Sequence, residues 1–140
     1  MQIVEKQEPV SENQVTLLEE ELKISLPRDY RGFLKEVNAI TIKTYQFEID
    51  NKVYYFSWFI PFKSIEGISL KSFNLQMNEH LKGEYFAFAF DHSNQLFLIS
   101  LKEEEYGKIY FCRVDLELED GLIQLANSFS EFISILEKHE

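Results

Sequence analysis

The sequence predicts an α+β domain: a mainly antiparallel sheet of about five to six strands, packed by N-terminal helices and a C-terminal helix. Three observations predict it. Helical periodicity opens the chain, period-two alternation takes over near residue 41, and a capped apolar helix closes it. The strand segments are joined by short turns, which suit antiparallel neighbours.

Residues 11–23 form the first helix. Ser11 and Gln14 make a capping box, in which the serine accepts from an orphan N–H and the glutamine reaches back. Val15, Leu18 and Leu22, with Leu17 alongside, recur at helical spacing; Glu12, Glu19, Glu20 and Glu21 lie mostly opposite. Pro27 suits the first turn of a second helix, where its missing N–H costs nothing. Tyr30, Phe33, Leu34 and Val37 share one face of that helix, and Asn38 terminates it.

The period then changes. Residues 41–49 alternate through Ile42, Tyr45, Phe47 and Ile49, Asp50-Asn51-Lys52 is turn chemistry, and residues 53–60 complete a hairpin. The second strand is so aromatic that cover on both faces is expected. Residues 63–82 hold a turn at Glu66-Gly67 and a short helix over 72–80. Residues 85–90 and 96–101 are two further strands joined by Asp91-His92-Ser93-Asn94-Gln95. A charged turn over 102–107 leads to a strand over 108–114. Ser128 and Glu131 read as a second capping box, opening a helix that buries Phe129, Phe132, Ile133 and Leu136.

With 140 residues, no internal repeat and no Pro/Gly/Ser-rich linker, residues 1–140 read as one domain. Hydrophobic residues at 45% suffice for a core, and thirteen Phe, seven Tyr and one Trp demand cover, which excludes disorder for the bulk of the chain. The formal charge of -10 repels nucleic acid and anionic lipid and attracts basic partners. A single cysteine, Cys112, excludes an internal disulfide. The first ten residues lack the basic and apolar regions of a signal peptide, and the most apolar run, 53–62, is far short of a membrane span, so a cytoplasmic location is expected.

Little points to catalysis. His80, His92 and His139 are scattered with no metal-ligand spacing, and no Gly-rich phosphate loop exists, so neither metal nor cofactor is expected. Asp91-His92-Ser93 contains the residue types of a triad, but neighbours in a turn point apart, so a turn role is expected. Cys112, in an apolar strand, reads as a buried inert thiol.

Four segments in register carry a resemblance over residues 11–138. They are Leu26-Pro27-Arg28-Asp29-Tyr30 with Phe33-Leu34 and Asn38; Ile60-Pro61-Phe62; Phe88-Ala89-Phe90-Asp91 through Leu96-Phe97-Leu98-Ile99; and Ala126-Asn127-Ser128-Phe129-Ser130-Glu131-Phe132-Ile133. Together they resemble the SUKH superfamily, which includes the fungal cell-wall-synthesis regulator domain. Two places depart from the usual pattern. Ala39-Ile40 stand where glycine often follows the Asn, and His92-Ser93-Asn94-Gln95 replace a Gly-rich turn, with Asn94 able to take its left-handed conformation. The resemblance implies an α+β, non-catalytic domain. Bacterial members look like immunity proteins of polymorphic toxin systems that bind a toxin domain, often a nuclease; fungal members regulate through protein contacts.

On that basis the expected partner is a cognate toxin domain with a basic surface, held by an acidic, partly aromatic face; a regulatory adaptor for another protein or peptide is the alternative. The acidic candidates are Glu103, Glu104 and Glu105 in a turn, and Asp115, Glu117, Glu119 and Asp120 before the last helix, where Leu116 and Leu118 would anchor the segment. A docking face and a merely solvated rim both fit these acids. The aromatic candidates are Tyr55, Trp58 and Phe59. Strict alternation sets Tyr54, Phe56 and Trp58 on one side and Tyr55 and Phe59 on the other, with a groove or complete burial both open.

Overall fold

The computed structural model describes residues 1–140. Two N-terminal helices, α1 (Glu12–Leu22) and α2 (Arg28–Glu36), precede the strands β2 (Ala39–Ile42), β3 (Gln46–Ile49) and β4 (Lys52–Phe59). Short helices α3 (Leu70–Gln76) and α4 (Asn78–Leu81) lead to β5 (Tyr85–Asp91), β6 (Leu96–Ser100) and β7 (Ile109–Cys112). A four-residue helix α5 (Leu118–Gly121), a strand β8 (Leu122–Ala126) and the helix α6 (Phe129–Lys138) complete the chain. The main sheet is antiparallel in the order β3-β4-β5-β6-β7-β8. An additional strand, β1 (Ile3–Lys6), pairs antiparallel with β2 in a separate two-stranded sheet.

The local rules account for most boundaries. Ser11 and Gln14 bond reciprocally at 3.2 and 2.9 Å, so the predicted capping box starts α1. Asp50 and Asn51 both take positive φ, 52° and 65°, which makes the two-residue primed turn that a hairpin with right-handed twist prefers. Asn94 takes a φ of 66°, supplying the left-handed residue of the β5–β6 turn. At Ser128 only half of the box forms. Its hydroxyl accepts from the Glu131 N–H at 3.1 Å, while the Glu131 carboxylate accepts from Asn127 instead.

Four expectations are corrected. The alternating run 41–49 is two strands, because the chain turns a corner at Lys43 and Thr44: Lys43 donates its N–H to the Gln2 carbonyl and the Thr44 hydroxyl donates to Leu136 in α6. Tyr45 at that corner is consequently exposed. The middle helix begins earlier, at Leu70, capped by Ser69 and Ser72, and breaks at Met77. Strand β1 lacks an alternating buried face, and β8 follows directly on an acidic run; neither shows a period-two signal.

The fourth correction concerns alternation itself. A bulge at Ser57 opposes Phe56 to Asp91 and Trp58 to Phe90, so the period slips by one residue. Phe59 therefore joins Tyr54 and Phe56 on the helix-covered face, where its ring lies 4.8 Å from Phe56 and from Phe33, and Trp58 turns to the other face against Phe90. A second bulge at Phe88, between the pairs Ala87–Leu98 and Ala89–Phe97, does the same to β5. Phe86 and Phe88 point at Tyr30, and Phe90 points at Phe73 and Trp58.

Strand β4 leaves the sheet at Ile60, which exposes the edge of β5 beside Ala87. Asn74 of α3 fills that gap. Its amide nitrogen donates to the Ala87 carbonyl at 3.0 Å and its oxygen accepts from the Ala87 N–H at 2.8 Å, so one side chain stands in for a strand residue. Both backbone groups would otherwise be buried without partners. Replacing Asn74 with Ala should cost about 2–4 kcal/mol, read as a lower urea midpoint at unchanged m-value. A loss under about 0.5 kcal/mol would mean that water substitutes for the amide.

Candidate protein-binding surface

The acidic residues near the sheet fall into two separate patches. Glu103–Glu105 form a 3-10 turn before β7, and Asp115–Asp120 follow β7, so a strand of four residues, roughly 13 Å, separates them.

In the first patch Glu103 and Glu104 are exposed, with Glu104 3.5 Å from Lys102. Glu105 is turned inward. Its carboxylate accepts from the hydroxyls of Tyr110 at 2.7 Å, Tyr85 at 3.0 Å and Ser100 at 3.3 Å. The Tyr110 and Tyr85 donors hold this carboxyl below its usual range. Burial and the same bond push the Tyr110 phenol up to about 12. Glu105 thus pins the 3-10 turn to β5 and β7 and presents little to a partner.

The second patch is displayed. Asp115, Glu117, Glu119 and Asp120 are all exposed, and Leu118 between them is buried. Leu116, expected as a second anchor, is 39% exposed. Asp115 is held below the usual carboxylate range by Arg113, whose guanidinium donates at 2.7 Å; Glu119 is lowered by its own backbone N–H at the start of α5 and by Lys82 at 3.4 Å. Glu117 and Asp120 make no ion pair. The segment is fixed at its base. Gln95 accepts from the Val114 N–H at 2.7 Å, and the Arg113 N–H donates to Gly121 at 3.0 Å. Gly121 permits this approach, since a Cβ there would lie 2.5 Å from the Arg113 carbonyl oxygen.

The aromatic candidates separate as well. Tyr55 is 38% exposed and packs edge-on against the exposed His92 at 4.7 Å. Trp58 is half-buried against Phe90. Phe59 is 1% exposed and belongs to the core, because the Ser57 bulge rotates it inward. The surface that sequence alternation placed on Tyr55 and Phe59 together is therefore not formed.

Nothing in these patches is arranged as a reaction centre. The Ser93 hydroxyl donates to Asp91 at 3.1 Å, and Asp91 also accepts the N–H groups of Ser93 and Gln95 at 2.8 Å each, so this carboxylate organises a turn. Cys112 is fully buried and burial pushes its thiol up to about 11, far from a reactive thiolate. No three His, Cys, Asp or Glu side chains are placed to hold a metal ion, and no helix is long and apolar enough to cross a membrane.

The four motif segments meet in space. Asp29 accepts from the Ser130 N–H and hydroxyl at 2.9 and 3.1 Å, which ties the start of α2 to the start of α6. The Tyr30 ring lies 5.1 Å from Phe129 and 6.1 Å from Phe88, and the Ile60 N–H donates to the Phe88 carbonyl at 2.9 Å. Asn38, buried and at a φ of 49°, donates its side-chain amide to the Glu8 carbonyl at 2.8 Å. These contacts are the framework that holds α2 and α6 over the sheet. The chain belongs to the SMI1 / KNR4 family (SUKH-1), whose model matches residues 9–135. A comparison with curated proteins gives no significant match. The family is generally a non-catalytic immunity and regulatory domain, which supports a toxin-immunity role in coarse terms and a protein as the partner.

Two substitutions check this division between fixed and displayed acids. Glu105→Gln should lower stability at neutral pH by about 1–3 kcal/mol. Because the folded Glu105 carboxyl titrates below its usual value, its contribution is complete above the ordinary carboxylate range and is lost as pH falls through the lowered folded value. The gap between wild type and Glu105→Gln should therefore close below about pH 4, as chemical denaturation across pH would show. Gly121→Ala should destabilise by about 1–3 kcal/mol through overpacking against Arg113. A neutral result would mean that the 115–121 segment moves aside freely.

Proposed function

We propose that the protein neutralises a cognate toxin of a bacterial polymorphic system, a nuclease, by binding it stoichiometrically and covering its active surface. The observation that carries this reading, beside the family, is the Asp115–Asp120 segment: four exposed carboxylates held on a base fixed by Leu118, Gln95 and Gly121. A nuclease must present cations to phosphate, and a fixed acidic surface meets those cations with little ordering cost. The net charge of -10 adds long-range steering. Neutralisation in this scheme needs no chemistry from the inhibitor, only residence over the partner's active surface.

Capture from the native lysate, followed by mass spectrometry, identifies the partner, and co-expression with its toxin domain then tests rescue of growth. A partner without a toxin domain would move the reading to a regulatory adaptor. With the toxin in hand, Glu117→Lys, Glu119→Lys and Asp120→Lys combined should slow association by about tenfold or more at low salt and flatten its dependence on ionic strength. Unchanged association rates would remove the acidic segment from the interface.

A further inference from the structure

The helix α2 carries a glycine that its own fold does not require. Gly32 sits in the middle of the helix with ordinary helical backbone, and a Cβ added there would meet no atom within 4 Å. A helix-interior glycine is costly relative to alanine, and close packing is the usual reason to keep one. Here nothing packs on it. Gly32 instead opens the floor of a groove of about 550 Å³ between α2 and α6.

The groove has a consistent chemistry. Val37, Ile133 and Ile3 supply apolar surface over the buried ring of Phe33, and Asp29, Glu36 and Glu137 stand along it. These α2 positions recur at three- and four-residue spacing, so the groove runs along the helix as a stripe. No lysine, arginine or histidine side chain lines it. Its cation is the Met1 ammonium, 2.8 Å from Glu137. Lys35 and Arg31, the basic residues of the adjoining turn, are drawn away to Glu12 of α1.

We infer that this α2–α6 groove is a docking site for a basic segment of a protein partner, one apolar side chain entering over Gly32 and a neighbouring lysine or arginine facing Glu36, whose carboxylate has no ion pair within the chain. The inference rests on the reading of the chain as a protein-binding domain, and it adds a contact surface apart from the Asp115–Asp120 segment. Charge complementarity selects the occupant. The groove carries Asp29, Glu36 and Glu137 against the single Met1 ammonium, so an acidic segment would be repelled and a basic one attracted, with Glu36 the carboxylate left open to pair. The missing side chain at Gly32 makes room for the apolar anchor, the kind of contact that dominates helical grooves.

The test uses a capped peptide Arg-Leu-Leu-Arg as probe, with Glu-Leu-Leu-Glu as its acidic counterpart, titrated into the isotopically labelled full chain and followed by amide shifts. The expected result is saturable shifts at Gly32, Phe33, Val37 and Ile133 with the basic peptide alone. Gly32→Leu should fill the opening and weaken that binding about tenfold or more. Gly32→Ala, placed in open space, should raise Tm by about 3 °C, which shows that the wild-type glycine is not there for stability. Absence of shifts, equal binding of both peptides, or binding unaffected by Gly32→Leu would each overturn the proposal. Because the titration contains no toxin, success here alongside failed rescue by the wild-type protein would discard the immunity role and keep the groove. Rescue by wild type with a negative titration would do the reverse.

Discussion

Strand β5 sets the terms for everything around it. All seven side chains from Tyr85 to Asp91 are buried, so both faces of the strand must be covered by other elements. Strict alternation would direct Phe86, Phe88 and Phe90 to one side and leave the other with Ala87 and Ala89 between Tyr85 and Asp91, too little apolar volume for Phe73 and Trp58 to pack on. The bulge at Phe88 resolves this. It keeps Phe86 and Phe88 against Tyr30 and Phe129, and sends Phe90 to Phe73 and Trp58. The neighbouring bulge at Ser57 re-phases β4 in step, so that Phe59 follows Phe88 inward. Aromatic rings at centroid separations of 4.8–6.5 Å then fill the space between sheet and helices.

The family motifs serve that same arrangement. Asp29 and Ser130 lock α2 to α6, Asn38 turns the chain into β2 while bonding back to Glu8, and Asp91 organises the turn into β6. Each spends its polar groups internally. What identifies the family is therefore the means of holding two helices over a doubly buried sheet. Recognition is left to segments and surfaces that these internal bonds leave open, and these are the positions where a domain can change its partner without changing its fold.

Two such segments differ in physical character. Asp115–Asp120 is a charged rim on a rigid base, suited to steering and to pairing with exposed cations. The α2–α6 groove is an apolar slot with an acidic border, suited to an anchored side chain. A partner engaging both would combine fast encounter with slow release, since rim charges act mainly on association and buried anchors on dissociation. Glu105 shows why acid count alone misleads: it belongs to an acidic triplet in sequence, yet its charge is consumed by two tyrosines and a serine.

The sequence by itself determined the class of fold, the order of the principal helices and strands, the hairpin turns, the N-terminal capping box and the family, because these depend on neighbours within a few residues or on short motifs. It also gave Asp91 a turn role, which its carboxylate fills from the last residue of β5, and placed Cys112 in a strand. Tertiary structure alone decided where alternation slips, since a bulge at Ser57 or Phe88 is chosen by what packs on both faces of the sheet. That choice removed Phe59 from the surface and separated Trp58 from Tyr54. Only the fold could show β1, a strand without a buried face that exists through its pairing with β2, and the turning of Glu105 toward partners up to twenty residues away in the chain. The groove at Gly32 was equally illegible. A glycine in a helix says nothing of what lies opposite until α6 is laid beside it.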